Sequence, residues 1–160
     1  PLLAGKIAAA MVRGIQSRYI AATVKHFACN NKETNRKNSD SRLSQRALRE
    51  IYLRPFEIVI REAGPWAVMS SYNIINGRRA SESRELLTDI LREDWGYTGM
   101  VMTDWWTKGE HYKEILAGND LKMANGYPER VQQAMDLGLV SREDLETCAR
   151  RVLELILKID

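Results

Sequence analysis

The 160 residues contain only two cysteines, Cys29 and Cys148, far apart and in no Cys-x-x-Cys or Cys/His ligand spacing. That excludes a disulfide framework and a zinc-finger module, and both are read as free thiols. No apolar run approaches the roughly 20 residues that span a bilayer, because Arg13 and Arg18 interrupt the alanine-rich start and Lys and Glu interrupt the rest. Large excess charge is missing too: the net charge is +3, and the basic residues between Lys32 and Arg54 are interleaved with Glu33, Asp40 and Glu50. Nucleic acid and membrane are therefore not expected as partners. The stretch Ala4 to Val12 has neither the hydrophobic core nor the cleavage site of a signal peptide. Pro1 is read as internal to a longer protein, so the compartment, cytoplasmic or secreted, stays open.

What is present is 44% hydrophobic and 28% charged sequence, enough apolar side chain for one packed domain. The periodicity predicts a helix over 4–17, a buried strand over 20–27, a polar loop over 30–41, and a helix capped by Ser44 running to about 63 that Pro55 should kink or split. A strand over 66–72, a turn at Asn73 to Gly77, a helix from Ser81 or Ser83 to Glu93 and a strand over 100–104 follow. Beyond them come a helix over 108–116, a short strand over 121–123, a helix over 128–137 and a last helix opened by a capping box at Ser141-Arg142-Glu143-Asp144. Four apolar strands alternating with helices predict an α/β fold with parallel strands covered on both faces. A closed eight-stranded barrel takes about 250 residues, so the pattern fits either about half a barrel or a small open sheet.

Each expected strand ends in polar residues: Lys25 and His26, then Cys29-Asn30-Asn31; Ser70-Ser71-Tyr72-Asn73; Asp104-Trp105-Trp106; and Asn125. The carboxyl ends of parallel strands are where such folds bind ligands and react. By position alone Asp104 reads as a helix N-cap, His26 as a core histidine, Lys25 as a solvated charge, and Tyr72 and Trp105 as packing aromatics. Glu110 and His111 read as surface.

The motifs carry more. Val24 to Glu33, Leu48-Arg49-Glu50-Ile51-Tyr52-Leu53 through Pro55-Phe56-Glu57, Met69-Ser70-Ser71-Tyr72-Asn73 with Asn76-Gly77, and Leu91 to Asp104 through Trp95-Gly96-Tyr97-Thr98-Gly99 resemble the signatures of family 3 glycoside hydrolases, in order and in spacing. The resemblance implies residues 1–160 as the C-terminal half of that family's (β/α)8 barrel domain, the family's second α/β domain lying outside this chain. It implies a retaining β-glycosidase acting on a β-glucoside or β-xyloside, without metal or organic cofactor.

Retaining hydrolysis uses two carboxyl groups about 5–5.5 Å apart, one attacking the anomeric carbon and one protonating the leaving oxygen. Asp104 matches the attacker. Lys25 and His26 match residues that hydrogen-bond the sugar hydroxyls, Tyr72 matches the tyrosine whose hydroxyl holds the nucleophile, and Trp105 offers an apolar face to a sugar ring. Adjacent residues on a regular strand face opposite ways, so the first strand must end or bend at Lys25-His26. Trp106 stands where many relatives have glycine. Glu33 and Arg36 are either a loop-ordering ion pair or ligand contacts.

Asp120, in Ala117-Gly118-Asn119-Asp120, reads as structural. The family's N-acetylglucosaminidase branch, with a Pro-Gly-His-Gly loop after Lys-His-Phe, does not match Ala28-Cys29-Asn30-Asn31. The family's sugar-binding Asp and Arg are expected upstream of Pro1, and its acid/base Glu beyond Asp160. The alternative is a catalytically silent carbohydrate-binding or structural half-barrel. Either way, a half-barrel would leave strand edges and apolar faces open, so the isolated chain is expected to self-associate or to dock with the remainder of its parent; a stable monomer in light scattering would count against this.

Overall fold

The computed structural model describes all 160 residues. It opens with α1 (Leu2–Gln16), whose small residues Gly5 and Ala9, with Val12, form the buried stripe. That stripe packs against the helix that follows β1 (Thr23–Phe27) and β2 (Asp40–Ser41). A Cβ on Gly5 would lie 2.9 Å from Ile58, so the close helix crossing depends on that glycine.

The expected Ser44 cap is present, its side chain accepting from the Ala47 amide at 3.1 Å. From there one helical run changes pitch: α2 (Gln45–Ala47), a π-helical stretch Leu48–Leu53, and α3 (Arg54–Ala63). Pro55 falls where the run divides, just after the π-helical stretch gives way to α3. It stands in the first turn of α3, where a missing N–H costs little. Gly64 ends α3 in the left-handed region, with φ 50°.

Next come β3 (Ala67–Ser70), β4 (Ile74–Ile75), β5 (Arg78–Arg79), a 3-10 turn at Ala80–Glu82 and a π-pitched helix at Glu85–Asp94. Of the two candidate caps it is Ser83 that receives the Leu86 amide, at 3.3 Å. β6 (Met100–Thr103), α4 (His111–Ala117), α5 (Pro128–Asp136) and α6 (Arg142–Ile159) complete the chain. The capping box at Ser141 and Asp144 is formed as expected.

β1, β3 and β6 make one parallel sheet with β3 in the centre, so the fold is α/β. The fourth expected strand shrinks to a single parallel bridge, Leu121 opposite Met102. A second small sheet, β2-β4-β5, was not expected. Its two-residue strands are too short to show a period of two, and the Asn76-Gly77 turn between β4 and β5 is the only sign of it in the sequence. The main core lies between the parallel sheet and its covering helices and includes Phe27, Leu53, Leu87, Leu91, Trp95 and Val101. Phe27 meets Phe56 and Trp95 edge to face, at 5.1 and 5.8 Å between ring centres.

Outside that core, α1 leaves Leu2, Leu3, Ile7, Met11 and Ile15 exposed, and α6 leaves Leu153, Ile156 and Leu157 exposed. No helix is long and apolar enough to cross a membrane. Both cysteines are free thiols, buried, with pKa values pushed up to about 11 by burial.

His111 is not the surface residue its helix position suggested. Burial, reinforced by the nearby Lys122 ammonium, lowers its pKa from 6.5 to about 4. On acidification the unfolded chain therefore takes up this proton first, and stability contributed by the neutral imidazole is present above pH 6.5 and lost as the pH falls toward 4. Melting temperatures measured from pH 7 to pH 4.5 should fall less steeply for His111→Gln than for the unaltered protein. Parallel curves would show that the imidazole does not titrate in this window.

Candidate active site

The parallel register brings three strand ends to one level, with Phe27 beside Ser70 and Ser70 beside Thr103. The backbone ladder continues past them: the Ser71 amide donates to the Phe27 carbonyl at 2.8 Å and the Asp104 amide to the Ser70 carbonyl at 3.1 Å. Asp104 therefore sits one residue beyond β6, at the carboxyl edge of the sheet. Its side chain is almost fully buried. Oδ1 accepts from the Trp105 amide at 2.7 Å, and Oδ2 has no hydrogen-bond partner.

Lys25 and His26 arrive from β1, where the pairing with β3 loses register between Val24 and Phe27. The His26 Nε2 lies 3.4 Å from Asp104 Oδ2. Burial lowers the His26 pKa, with Lys25 and Arg36 adding to that effect and Asp104 opposing it, so at neutral pH the ring is uncharged and can either donate or accept. Lys25 is exposed at the same edge.

Tyr72 follows β3. Its hydroxyl donates to the Trp105 carbonyl at 2.5 Å, which uses its one proton. Asp104 therefore acts on the phenol chiefly through charge, and burial first and that negative charge second raise the phenol pKa. Above the ring lie the Arg36 guanidinium, 4.7 Å from its centre, and the Lys37 ammonium at 5.0 Å. Arg36 also pairs with Glu33 at 2.9 Å. Arg79, which the sequence offered no reason to single out, ties their loop to the site by donating to the carbonyls of Lys37 and Tyr72.

Trp105 and Trp106 stand half-exposed beside the carboxylate, their rings edge to face with centres 5.3 Å apart. Trp106 adopts φ 56°, a left-handed conformation that glycine takes at no steric cost and a bulky residue does not. A separate hollow, lined by Trp66, Tyr97, Gly99 and Lys158, lies at the opposite end of the strands. Barrel folds do not place their chemistry there.

The five residues singled out from the sequence thus share one edge of the sheet, and Asp104, His26 and Tyr72 form its centre. Residues 1–155 match the glycosyl hydrolase family 3 N-terminal domain. The chain belongs to glycosyl hydrolase family 3. Among relatives of this family, Beta-glucosidase A of Butyrivibrio fibrisolvens is 62% identical over 146 residues, covering 91% of this chain and 18% of that protein. An exo-α-(1→6)-L-arabinopyranosidase of Bifidobacterium longum is 41% identical over 159 residues, 99% of this chain and 21% of its own. The structure of β-glucosidase 3B from Thermotoga neapolitana in complex with glucose superposes with a TM-score of 0.94 at 41% identity, over 99% of this chain and 24% of that one. The chain thus spans about a fifth of the length of its curated relatives, and the family 3 fold it adopts is that of their barrel domain.

Proposed function

We propose that this chain is the nucleophile-bearing half of the barrel of a retaining β-glycosidase, with Asp104 attacking the anomeric carbon to form a covalent glycosyl-aspartate. The observation that carries the reading is the state of Asp104. It is a buried carboxylate at the carboxyl edge of a parallel sheet, one oxygen fixed by the Trp105 amide and the other unpartnered. A buried polar atom without a partner is costly in a purely structural role, and it is what a reacting oxygen that awaits substrate should look like.

Lys25 and His26 hydrogen-bond sugar hydroxyls on this reading. The donor capacity of the ammonium and the neutral imidazole suits that task. Tyr72 holds the Trp105 carbonyl, and through it the backbone that aims Asp104; Trp105 presents a half-exposed ring to the sugar. A β-glucoside is favoured, since a relative 62% identical over 146 residues is named a β-glucosidase.

Glu33, in the neighbouring loop, is exposed and paired with Arg36. By the family resemblance the proton for the leaving oxygen is assigned to a group outside this chain, and the chain on its own is expected to turn over ordinary glycosides poorly. The exposed apolar faces of α1 and α6 suit closure by the rest of the barrel or by self-association.

An activated 2-deoxy-2-fluoro-glucoside needs little acid help to leave, and the fluorine slows release of the covalent intermediate. Applied to the full-length protein, it should add one glycosyl group to the peptide containing Asp104, located by mass spectrometry. A folded full-length protein that takes no label at Asp104 would sink the nucleophile assignment and leave the silent, carbohydrate-binding reading.

A further inference from the structure

Behind the loop that leaves Asp104 lies a buried ion pair. The Glu114 carboxylate of α4 and the Lys122 ammonium are in direct contact, with side chains 1% and 4% exposed. Glu114 Oε1 also accepts from Ser81 Oγ at 2.8 Å and from Thr107 Oγ1 at 2.7 Å. Lys122 Nζ donates in addition to Thr107 Oγ1 at 3.1 Å and to the Gly109 carbonyl at 3.2 Å. All three ammonium protons are used, and Thr107 both donates to the acid and accepts from the base. The cluster is so tight that a Cβ on Gly109 would lie 2.2 Å from Glu114 Oε1.

Burying such a pair adds little net stability, because desolvation of both charges cancels most of their attraction. What this pair does hold is position. The Asp104 carboxylate is aimed by the Trp105 amide, and the loop backbone is then pinned step by step. The Trp105 carbonyl is held by Tyr72, the Trp106 amide by the Met123 carbonyl at 3.0 Å, Thr107 and Gly109 by the ion pair, and the Glu110 amide by Glu82 at 2.7 Å. Lys122 lies between Leu121, whose carbonyl takes the Thr103 amide at 2.9 Å, and Met123, whose amide donates to Thr103 Oγ1 at 2.9 Å. One three-residue segment thus grips both the end of β6 and the loop beyond it. Every side-chain polar atom of this grip is satisfied, whereas Asp104 Oδ2 is not.

We infer that Thr107, with the buried Glu114–Lys122 pair behind it, is a positioning residue that holds the Trp105–Gly109 loop so that Asp104 faces the anomeric carbon. The inference rests on the assignment of Asp104 as nucleophile. It does not place Thr107, Glu114 or Lys122 in contact with the sugar.

The test uses the full-length protein and the same fluoro-glucoside, with hydrogen exchange at the Trp106 amide as a second measurement. Thr107→Val removes the hydroxyl at nearly constant volume, and Thr107→Ser keeps it. The limiting rate of Asp104 labelling should fall about tenfold or more in Thr107→Val, while the concentration for half-maximal labelling changes by less than about threefold, because misaiming a reacting group costs rate rather than binding. Thr107→Ser should label close to the unaltered rate. Exchange at Trp106 should quicken about tenfold in Thr107→Val alone, the loop having lost its anchor.

If Thr107→Val impairs folding, Glu114→Leu/Lys122→Met removes both charges together and should show the same split of rate and concentration. Folded variants that label at the unaltered rate overturn the inference, even where exchange quickens. Unaltered protein that takes no label at Asp104 overturns the nucleophile assignment instead, and unchanged exchange at Trp106 in folded Thr107→Val then overturns the anchoring role separately.

Discussion

Replacing Asp104 by glycine should lower glycoside hydrolysis by the full-length protein by at least about 10⁴-fold, the scale on which covalent catalysis collapses when its nucleophile is removed. The loss should come without a comparable loss of stability. Asp104 Oδ2 accepts no hydrogen bond, the uncharged His26 ring lying 3.4 Å away, and Oδ1 bonds only the amide of the next residue. The space vacated beside His26 and Tyr72 is open to a small anion. With azide and a substrate bearing a good leaving group, the anion should attack from the face that Asp104 used and give the glycosyl azide of inverted configuration, since only one displacement then occurs. Chromatography and the anomeric proton coupling identify the product. Retained activity in Asp104→Gly, or an azide product of retained configuration, would move the nucleophile elsewhere.

Asp120→Ala should be the most damaging structural substitution. The Asp120 side chain is fully buried and takes Arg92 Nη2 at 2.7 Å, Arg151 Nη1 at 2.9 Å and the Val101 amide at 2.8 Å, tying the Glu85–Asp94 helix, β6 and α6 together. Arg92 is itself buried and spans to the carbonyls of Gly99 and Gly118. Burial lowers the pKa of its guanidinium, and Asp120 is the charge that opposes this. Removing one partner of a buried pair strands the other, at a cost of about 3–5 kcal/mol. For a domain of this size that corresponds to a fall in melting temperature on the order of 10 °C. Calorimetry would measure it. Fluoro-glucoside labelling of Asp104 below the melting transition should persist, because Asp120 acts on the frame and not on the sugar; a variant that melts normally but fails to label would give Asp120 a part in the chemistry.

Local order was written plainly in the chain. The helices over α1 and α6, the Ser44 and Ser141 caps and the strands β1, β3 and β6 each follow from periodicity or from a capping hydroxyl at the right offset, which are local signals. Where the forecast departed from the structure, the deciding interaction was distant in sequence. Leu121 to Met123 reads as a strand by composition, yet only Leu121 bridges to Met102, and the side chain between turns inward to Glu114. His111 reads as surface by its polar neighbours and is instead covered and beside Lys122, a residue eleven positions away.

The sequence by itself determined the alternation of helix and strand, the family, and the residues placed at the strand ends, because ordered motifs and short-range periodicity survive without coordinates. The break in β1 at Lys25 and His26 was expected from the need for both to face one way, but only the tertiary structure decided that His26 comes to 3.4 Å from Asp104, that Tyr72 bonds the Trp105 carbonyl, and that a buried acid–base pair lies beside the loop beyond Asp104. These are contacts between groups from different strands and helices. Their distances and burial arise only when the sheet has brought the strand ends to one edge.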